Sequence, residues 1–406
     1  MSHAHTILDP SVALIISIAV ILLLIRRGTA ICLSILAGAV TLGLLSLGQK
    51  SFEVLLLSAV SPETIRIVCL VIAAFTLGYS MEYLGLFEEL QKAAERLTHK
   101  FSVSLLPLLV GLLPMPGGAL VSAVMIRNLV KKYGLTPEES TFINYWFRHV
   151  WVTVWPLYPS IIIATAVVEV SPARIAKACW VIGLTAFTSA LISAVKLGIL
   201  RRRFFSFDWR SLASMTKSFY PIAFVAIFVL LLRTSMLYTL IVAIAIVYVH
   251  KKAKIRDIIS ILKKTLDPKI IVLIFAVMGY KALIEYTNSA KIFFTHLKEF
   301  GIPAFAASFA VAFLVGFATG IELSYSSVAL PLLTAFTGVG SSLVPSKLML
   351  VIAGGFCGVM LSPMHLCFAL TCEYFHADAS KVYRYLIPSV VVVALASITA
   401  YILGVP

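Results

Sequence analysis

Two interrupted hydrophobic segments recur in this chain about 205 residues apart, and both contain residues that break membrane helices. The first, LVGLLPMPGGALVSAV, begins at Leu109, and the second, LVGFATGIELSYSSVALPL, begins at Leu314. Proline and glycine at their centres disfavour one continuous crossing helix. Each segment is therefore predicted to form two short helical arms that meet at a tip. Paired interruptions in the two halves of a membrane protein are typical of the binding site of a secondary transporter.

A second pair of segments repeats at almost the same interval, around Pro156 and Pro363. Tyr158 of the first segment aligns with His365 of the second. Because proline frees a carbonyl group in the preceding turn of a helix, both segments are predicted to be discontinuous helices. The two halves of the chain therefore share one plan.

The composition requires a membrane environment. Hydrophobic residues make up 60% of the chain and charged residues only 13%, and apolar runs repeatedly reach the ~20 residues that cross a bilayer. The first run, 11–25, is followed by Arg26 and Arg27 rather than by a cleavage site, so it is predicted to remain as a span. No segment resembles a soluble domain or a nucleic-acid-binding module. The six cysteines lie in predicted spans without metal-binding spacing and are predicted to be packing residues.

Hydropathy predicts an all-α membrane protein with five transmembrane helices in each half. The predicted spans are 11–25, 30–47, 63–87, 145–169 and 177–199, then 218–232, 236–249, 270–287, 347–375 and 384–405. The spans over 145–169 and 347–375 are the discontinuous helices. The interrupted segments, about 103–126 and about 302–335, are left over and are predicted to be re-entrant hairpins. Because five is an odd number of crossings, the second half is then inverted relative to the first.

The distribution of lysine and arginine supports this topology. With re-entrant hairpins, 22 of these residues fall on one side of the membrane and 8 on the other, as expected for a cytoplasmic and an extracytoplasmic face. The net charge of +15 has the same explanation. We therefore predict residence in the cell membrane with both termini extracytoplasmic. The predicted units are an inverted repeat over 1–200, a cytoplasmic linker over 201–217 and a second inverted repeat over 218–406.

The hairpin tips are predicted to line a binding site. Unwound backbone is tolerated in a bilayer only where it is buried in protein or lines a watery cavity. Gly117 and Gly118 would let backbone amides approach a ligand, and the arms that begin near Ala119 and Ser324 would direct the positive ends of their dipoles at it. An anion is the expected ligand. The alternative is that proline and glycine only kink packed helices.

Glu322 is the sharpest single candidate, because a carboxylate at a hairpin tip in an apolar sequence is costly. It either takes up a proton together with substrate or stays charged and helps to hold a cation. A candidate Na⁺ position lies near Gly320, Glu322 and Ser324. The alternatives are a structural hydrogen bond across the tip or a tip shallow enough to be wet.

The breaks in the discontinuous helices would bring further polar groups to the membrane midplane. His365 is predicted to be either a proton-linked residue or a neutral donor, with a helix–helix hydrogen bond as an equal alternative. Arg148 with His149 would complement the charge of an anion, although snorkelling at an aromatic belt is the commoner explanation of such an arginine. Glu82 and Glu285 are predicted to be interfacial anchors.

These groups together form the predicted site. Ion coupling is assigned to Glu322 and His365, with no catalytic residue and no cofactor. Substrate binding is assigned to Met115, Gly117, Gly118, Ser122, Trp155, Tyr158, Ser160, Ser324, Ser326, Ser327, Ser362 and His365.

At LPMPGGALVSA and at GGFCGVMLSPMHLC, the latter running from Gly354 to Cys367, the chain resembles the ion-transporter superfamily, which includes gluconate permeases and divalent-anion:sodium symporters. The resemblance covers essentially the whole chain and is closest to one multi-pass membrane branch. It implies two inverted repeats, a fixed scaffold that often dimerises, and a transport domain that moves like an elevator. Symporters of this superfamily commonly bear a Ser-Asn-Thr type signature at their tips, where this chain has 115–118 and 322–324 instead.

The sequence therefore predicts a secondary active transporter of a small organic anion, in the first instance a carboxylate, driven by protons or sodium through alternating access. Its expected partners are the lipid bilayer and a second copy in a homodimer. A channel or facilitator, or a carrier of lipid or polyprenyl compounds, would share the same hairpins. A membrane-embedded enzyme using His365 with Ser362 or Cys367 is disfavoured, because no carboxylate is evidently placed to orient the histidine.

Overall fold

The computed structural model describes residues 7–114, 118–200 and 208–405, and within these ranges the chain forms helices and turns without strands. The first half contains α1 (Pro10–Arg26), α2 (Ile31–Leu47), α3 (Lys50–Ala59), α4 (Pro62–Tyr83), α5 (Leu86–Thr98), α6 (Ser102–Val110), α7 (Gly118–Lys132), α8 (Pro137–His149), α9 (Pro159–Val168), α10 (Pro172–Ala178) and α11 (Trp180–Lys196).

The second half contains α12 (Trp209–Ala226, continued by a π-helical turn over Ile227–Leu231), α13 (Met236–His250), α14 (Ile255–Thr265), α15 (Pro268–Thr287), α16 (Ser289–Glu299), α17 (Ala304–Thr319), α18 (Glu322–Ser324, continued by a π-helical turn over Tyr325–Ala329), α19 (Leu330–Thr337), α20 (Pro345–Leu361), α21 (Leu366–Phe375) and α22 (Ala379–Ile402).

The order of helices in the first half recurs in the second. In each half, two helices precede a short helix, a long apolar helix and another short helix, over α1–α5 and α12–α16. A helical hairpin follows, formed by α6–α7 and by α17–α19. Next come a broken helix, α8–α9 or α20–α21, and a final membrane helix. This correspondence agrees with the repeated segments of the sequence.

Proline begins helices in this chain more often than it interrupts them. A proline in the first turn lacks only an N–H that would have no intrahelical partner, and its fixed φ suits the helix. Seven helices start in this way, at Pro10, Pro62, Pro137, Pro159, Pro172, Pro268 and Pro345. The breaks are therefore placed jointly by prolines that stop one arm and prolines that start the next.

Several helices are suited to a bilayer. By length and composition, α4, α12 with its π-helical turn, α15, α20–α21 together and α22 can each cross a membrane. The pair α10 and α11 would form one further span that bends by 59°. Shorter apolar helices of 10–17 residues are α1, α2, α9, α13 and α17. The chain is thus built as a multi-helix membrane protein.

Two predicted boundaries differ from the observed ones because of local backbone signals. The span predicted over 63–87 ends at Tyr83, since Gly85 adopts φ +77° and redirects the chain into α5. The predicted linker is helical from Trp209 onward, because the Asp208 carboxylate accepts hydrogen bonds from the first amides of α12. The remainder of that predicted linker, residues 201–207, lies outside the described residues.

Glycines allow the second hairpin to pack closely on the second broken helix. A Cβ at Gly354 would collide with the carbonyl oxygen of Phe309, and one at Gly358 with that of Phe313. Because these glycines are four residues apart, they lie on one face of α20. Small residues at this spacing let membrane helices approach with their backbones in contact. Helices α17 and α20 therefore form one tightly packed unit.

The two halves interlock through the arms that follow the breaks. Helix α21 of the second half packs on α7 and α8 of the first, and α9 of the first half packs on α18 and the π-helical turn of the second. As a result, each hairpin tip lies beside the break of a discontinuous helix.

Candidate functional site

The hairpin tips are fastened to the helix breaks by specific contacts. At the first tip, the Tyr158 hydroxyl donates to the carbonyl oxygen of Gly111 at 2.5 Å. At the second, Gly320 adopts φ +63°, and a Cβ there would lie 2.6 Å from the amide nitrogen of His365. Only glycine combines that backbone conformation with so close an approach. The interruptions predicted from the sequence therefore meet in the interior of the protein.

Four side chains with titratable or metal-binding atoms converge there, and we call them the central cluster: His149, Glu322, His365 and Cys367. His149 ends α8, Glu322 begins α18, and His365 and Cys367 lie at the start of α21. His149 Nε2 is 3.3 Å from Glu322 Oε1 and 3.3 Å from His365 Nε2. The cluster thus joins the break of the first half to the tip and break of the second.

The hydrogen bonds of His149 define what its ring can offer the cluster. Its Nδ1 lies 2.6 Å from the carbonyl oxygen of Tyr145, which only accepts hydrogen bonds, so Nδ1 carries the proton. In the neutral ring, Nε2 then presents a lone pair to the carboxylate of Glu322. Two acceptors at 3.3 Å repel each other unless a positive charge lies with them. The geometry therefore describes a site for a cation or a proton.

Arg148 is buried beside this cluster and is not at a membrane edge. Its residue surface is only 4% exposed, and Nη1 donates to the carbonyl oxygen of Val110 at 3.3 Å. A Cβ at Gly118 would lie 2.5 Å from Nη2, so the guanidinium packs against the first residue of α7. The snorkelling explanation of Arg148 is wrong. The alternative, a fixed positive charge at the site, fits its position.

Several predicted substrate ligands already have backbone partners. Ser122 Oγ donates back to the carbonyl oxygen of Gly118 at 3.1 Å. Ser362 Oγ donates to the carbonyl oxygen of Phe317 at 2.6 Å, which ties the second break to α17. Ser327 Oγ has a long contact of 3.5 Å within its own turn. Ser122 and Ser362, like Tyr158, therefore hold the tips and breaks in place.

Other predicted ligands are buried with polar atoms available. The hydroxyls of Ser324 and Ser326 and the indole N–H of Trp155 have no hydrogen-bond partner among the described residues. Ser160 is buried in the first turn of α9. Because buried polar groups are costly when unpaired, these groups suit a bound ligand. Two predicted ligands, Met115 and Gly117, lie outside the described residues.

Sequence reasoning assigned no role to two further residues of α8. The ring of Tyr145 lies 4.8 Å from that of His149 and 5.4 Å from that of His365, measured between centroids. Asn144 Nδ2 donates to a carbonyl of α7 at 2.9 Å and to a hydroxyl of α21 at 3.2 Å. The polar groups of FINYWFRH within an apolar stretch were the available signal.

The central cluster is reachable from the side of the second break. The side chain of Glu322 is 18% exposed, whereas that of His149 is 2% exposed. Met364 and Leu366, which flank His365, are 50% and 60% exposed. A ligand entering here would meet Glu322 first and the histidines behind it.

A cavity of about 710 Å³ opens elsewhere, between α4, the C-terminal part of α9 and the start of α13. Its lining includes Ile162 and Thr165 of α9 together with the charged residues Glu63, Arg66 and Arg233. Because α9 begins at the central cluster and ends at this cavity, one helix connects the two.

A second group of charges, the lysine cluster, lies near this cavity. Lys281 of α15 is 4% exposed and donates to the carbonyl oxygen of Ala166 at 2.7 Å. Its Nζ is 3.2 Å from Glu169, 3.7 Å from Glu285 and 3.9 Å from Glu63. Glu285, predicted to be an interfacial anchor, is thus a partner of a buried lysine.

Fold and site together define the class: the chain has the fold of a helical membrane transporter. It is similar to the YdaH transporter of Alcanivorax borkumensis, whose crystal structure is described as revealing an unusual topology, with a TM-score of 0.58 and 15% identity over 82% of this chain and 84% of that one. The chain belongs to the DUF401 family, "Protein of unknown function (DUF401)", whose model matches residues 9–405. No curated protein matches its sequence.

Proposed function

We propose that the protein is a secondary active transporter of a small organic anion, a carboxylate in the first instance, that works by alternating access. The observation that carries this proposal is the meeting of hairpin tips and helix breaks around a buried arginine and the central cluster. Irregular backbone at such depth is sustained only where it surrounds a polar ligand path.

The anion would bind to fixed positive charge. The guanidinium of Arg148 faces the start of α7, and α9 and α21 begin at the two breaks. Helix N-termini carry partial positive charge and free N–H groups, which favour anions. The hydroxyls of Ser160, Ser324 and Ser326 would donate hydrogen bonds to the remaining oxygens.

The coupling ion would bind at the opposed acceptors of the central cluster. Glu322 and His149 need a positive charge with them, and His365 is in contact with the same nitrogen. Loading this place with a cation makes binding of an anion nearby more favourable, which couples the two. Protons and sodium ions are the first gradients to test.

Alternating access would come from movement of one packed body against another. Helices α1–α4 and α12–α15 pack largely on each other, and the hairpins and broken helices pack largely on each other. We propose that they correspond to the scaffold and transport domain of an elevator-type transporter built from two inverted repeats. A homodimer in the cell membrane, with both termini extracytoplasmic, completes this proposal.

Reconstitution into liposomes tests the function. Purified protein would be offered a panel of labelled carboxylates under an imposed proton or sodium gradient, and we expect at least one to accumulate above its external concentration. Glu322→Gln should abolish accumulation under the gradient while retaining exchange of internal for external anion. Glu373→Gln, on an exposed position of α21, is the matched control and should transport like the wild type.

Two outcomes would overturn the proposal. If no carboxylate enters under either gradient, the protein is not an anion symporter of this kind. If anions enter but only equilibrate, and Glu322→Gln behaves like the wild type, the protein is a channel or facilitator.

A further inference from the structure

The donor atoms of the central cluster are unusual for a site that holds only a proton or sodium. Nitrogen atoms of His149 and His365 and the sulfur of Cys367 lie within 4.8 Å of one another. Hard cations such as Na⁺ prefer oxygen ligands, whereas imidazole and thiolate suit zinc and related transition metals. The set therefore selects for a softer ion.

The distances fit a tetrahedral site of this kind. With metal–nitrogen bonds of about 2.0–2.1 Å, neighbouring ligand atoms of a tetrahedron are separated by roughly 3.3 Å. His149 Nε2 has this separation, 3.3 Å, from both His365 Nε2 and Glu322 Oε1. Cys367 would complete the set by a side-chain rotation toward the same centre.

The orientation of His149 follows the pattern of a metal ligand. A ligating histidine usually donates its other ring N–H to a carbonyl or carboxylate, which fixes the tautomer and leaves the lone pair facing the metal. His149 Nδ1 makes this contact with the carbonyl oxygen of Tyr145 at 2.6 Å. The Tyr145 ring packs against both histidine rings, which limits their rotation.

We propose that the central cluster binds a divalent transition-metal ion of the zinc class through His149 Nε2, His365 Nε2, Cys367 Sγ and a carboxylate oxygen of Glu322. This inference deepens the proposed function and rests on it in one respect, because it names the cation that accompanies the anion at the same site. Metal binding itself is measurable without transport.

The site has an entry path and a reason to bind an anion as well. Glu322 and the flanking Met364 and Leu366 are accessible from the side of the second break, so an ion can reach the buried nitrogens through the carboxylate. The positive charge of Arg148 lies beside the cluster. A carboxylate substrate would offset the combined charge of the metal ion and the guanidinium.

Cobalt(II) is the probe, because tetrahedral Co²⁺ with a thiolate ligand shows intense visible bands and a sulfur-to-metal charge-transfer band. Tag-free wild-type protein in detergent, with its cysteines reduced, would be titrated with Co²⁺ and then with Zn²⁺. We expect one equivalent of tetrahedral Co²⁺, displaced by one equivalent of Zn²⁺. A wild-type protein without these bands would overturn the inference.

Variants locate the site. Cys367→Ser should lose the charge-transfer band, and His149→Gln should weaken Co²⁺ binding by roughly tenfold or more. Cys357→Ser changes a buried cysteine of α20 outside the cluster and should retain the wild-type spectrum. If Cys367→Ser keeps the charge-transfer band, or Cys357→Ser alone loses it, the assignment is wrong. Thermal unfolding of each variant shows whether it has folded.

Transport separates the two proposals. Carboxylate uptake by proteoliposomes would be compared with Zn²⁺ present and after chelation. Anion accumulation without any Co²⁺ binding refutes the metal site and leaves the transporter standing. Metal binding without uptake of any carboxylate refutes the transporter and leaves the metal site standing.

Discussion

The central cluster and the lysine cluster are both buried groups of charges between helices, yet they are completed in opposite ways. Around Lys281, three carboxylates and a carbonyl oxygen surround one ammonium group. In the central cluster, a carboxylate and an imidazole lone pair face each other with unpartnered hydroxyls nearby. The lysine cluster is satisfied by the protein alone, whereas the central cluster requires a ligand.

This difference assigns different roles to the two clusters. Lys281 joins α15 to the end of α9 and to α4, which are elements of the two proposed bodies. It would therefore affect stability and the balance between conformations. The central cluster and Arg148 would instead set affinity for anion and cation.

The largest effect is expected for Arg148→Gln. Loss of a charge-assisted contact costs about 1.5–3 kcal/mol, and each 1.4 kcal/mol is a factor of ten, so anion uptake at low concentration should fall roughly 10- to 100-fold. The measurement is initial uptake into proteoliposomes. Arg233→Gln, in the separate cavity, is the control, and equal losses in both variants would contradict a binding role for Arg148.

A smaller effect is expected for Gly320→Ala, which disturbs the geometry of the central cluster without changing its charges. The left-handed backbone costs an alanine about 1–2 kcal/mol, and the Cβ would lie 2.6 Å from the His365 amide. Gly134→Ala shares the backbone strain, at φ +65°, but has open space around it. We expect a loss of about 2–4 kcal/mol in unfolding free energy for Gly320→Ala and a loss near 1 kcal/mol for Gly134→Ala. Equal losses would show that the tip and break are not in contact.

Lys281→Met should lower stability by about 1–3 kcal/mol, since it leaves the Ala166 carbonyl without its donor and three half-exposed carboxylates without their cation. Anion affinity should stay within about twofold, because the lysine cluster binds no ligand in this account. Chemical unfolding and anion binding measured on the same preparation check both parts. Lys291→Met, on the exposed surface of α16, is the control. A Lys281 variant with wild-type stability but lost affinity would reverse the comparison.

The smallest effect is expected for Lys264→Ala. Its Nζ lies 2.9 Å from Glu82, but the two side chains are 54% and 30% exposed, and exposed ion pairs contribute only about 0.2–1 kcal/mol. Unfolding with and without added salt would measure this contribution, which screening should reduce further. A loss as large as that of Lys281→Met would mean that burial does not distinguish the two lysines.

Local sequence signals were sufficient to predict the hairpins, the breaks and Glu322. Glycine and proline act on their own backbone, so PMPGG, TGIE and the prolines at 156 and 363 indicate interruptions without any knowledge of packing. The carboxylate at the second tip was identifiable because charge in an apolar segment is costly.

The composition of the central cluster could not be predicted, because it depends on contacts across the chain. His149 and His365 are 216 positions apart, and metal motifs are recognised by short spacings, so the cysteines were assigned to packing. Arg148 was misassigned because tryptophans beside an arginine look the same at a membrane surface and at a buried helix end. Only the unwinding of the chain after His149 distinguishes them.

The most direct test of the account is the accumulation ratio of a transported carboxylate in wild-type proteoliposomes, followed through collapse of the driving gradient by an ionophore. We predict that the internal concentration rises above the external one and that the excess leaves when the gradient is removed. An anion that enters only to equal concentrations, with or without the gradient, would contradict the claim that the central cluster couples an ion to the anion.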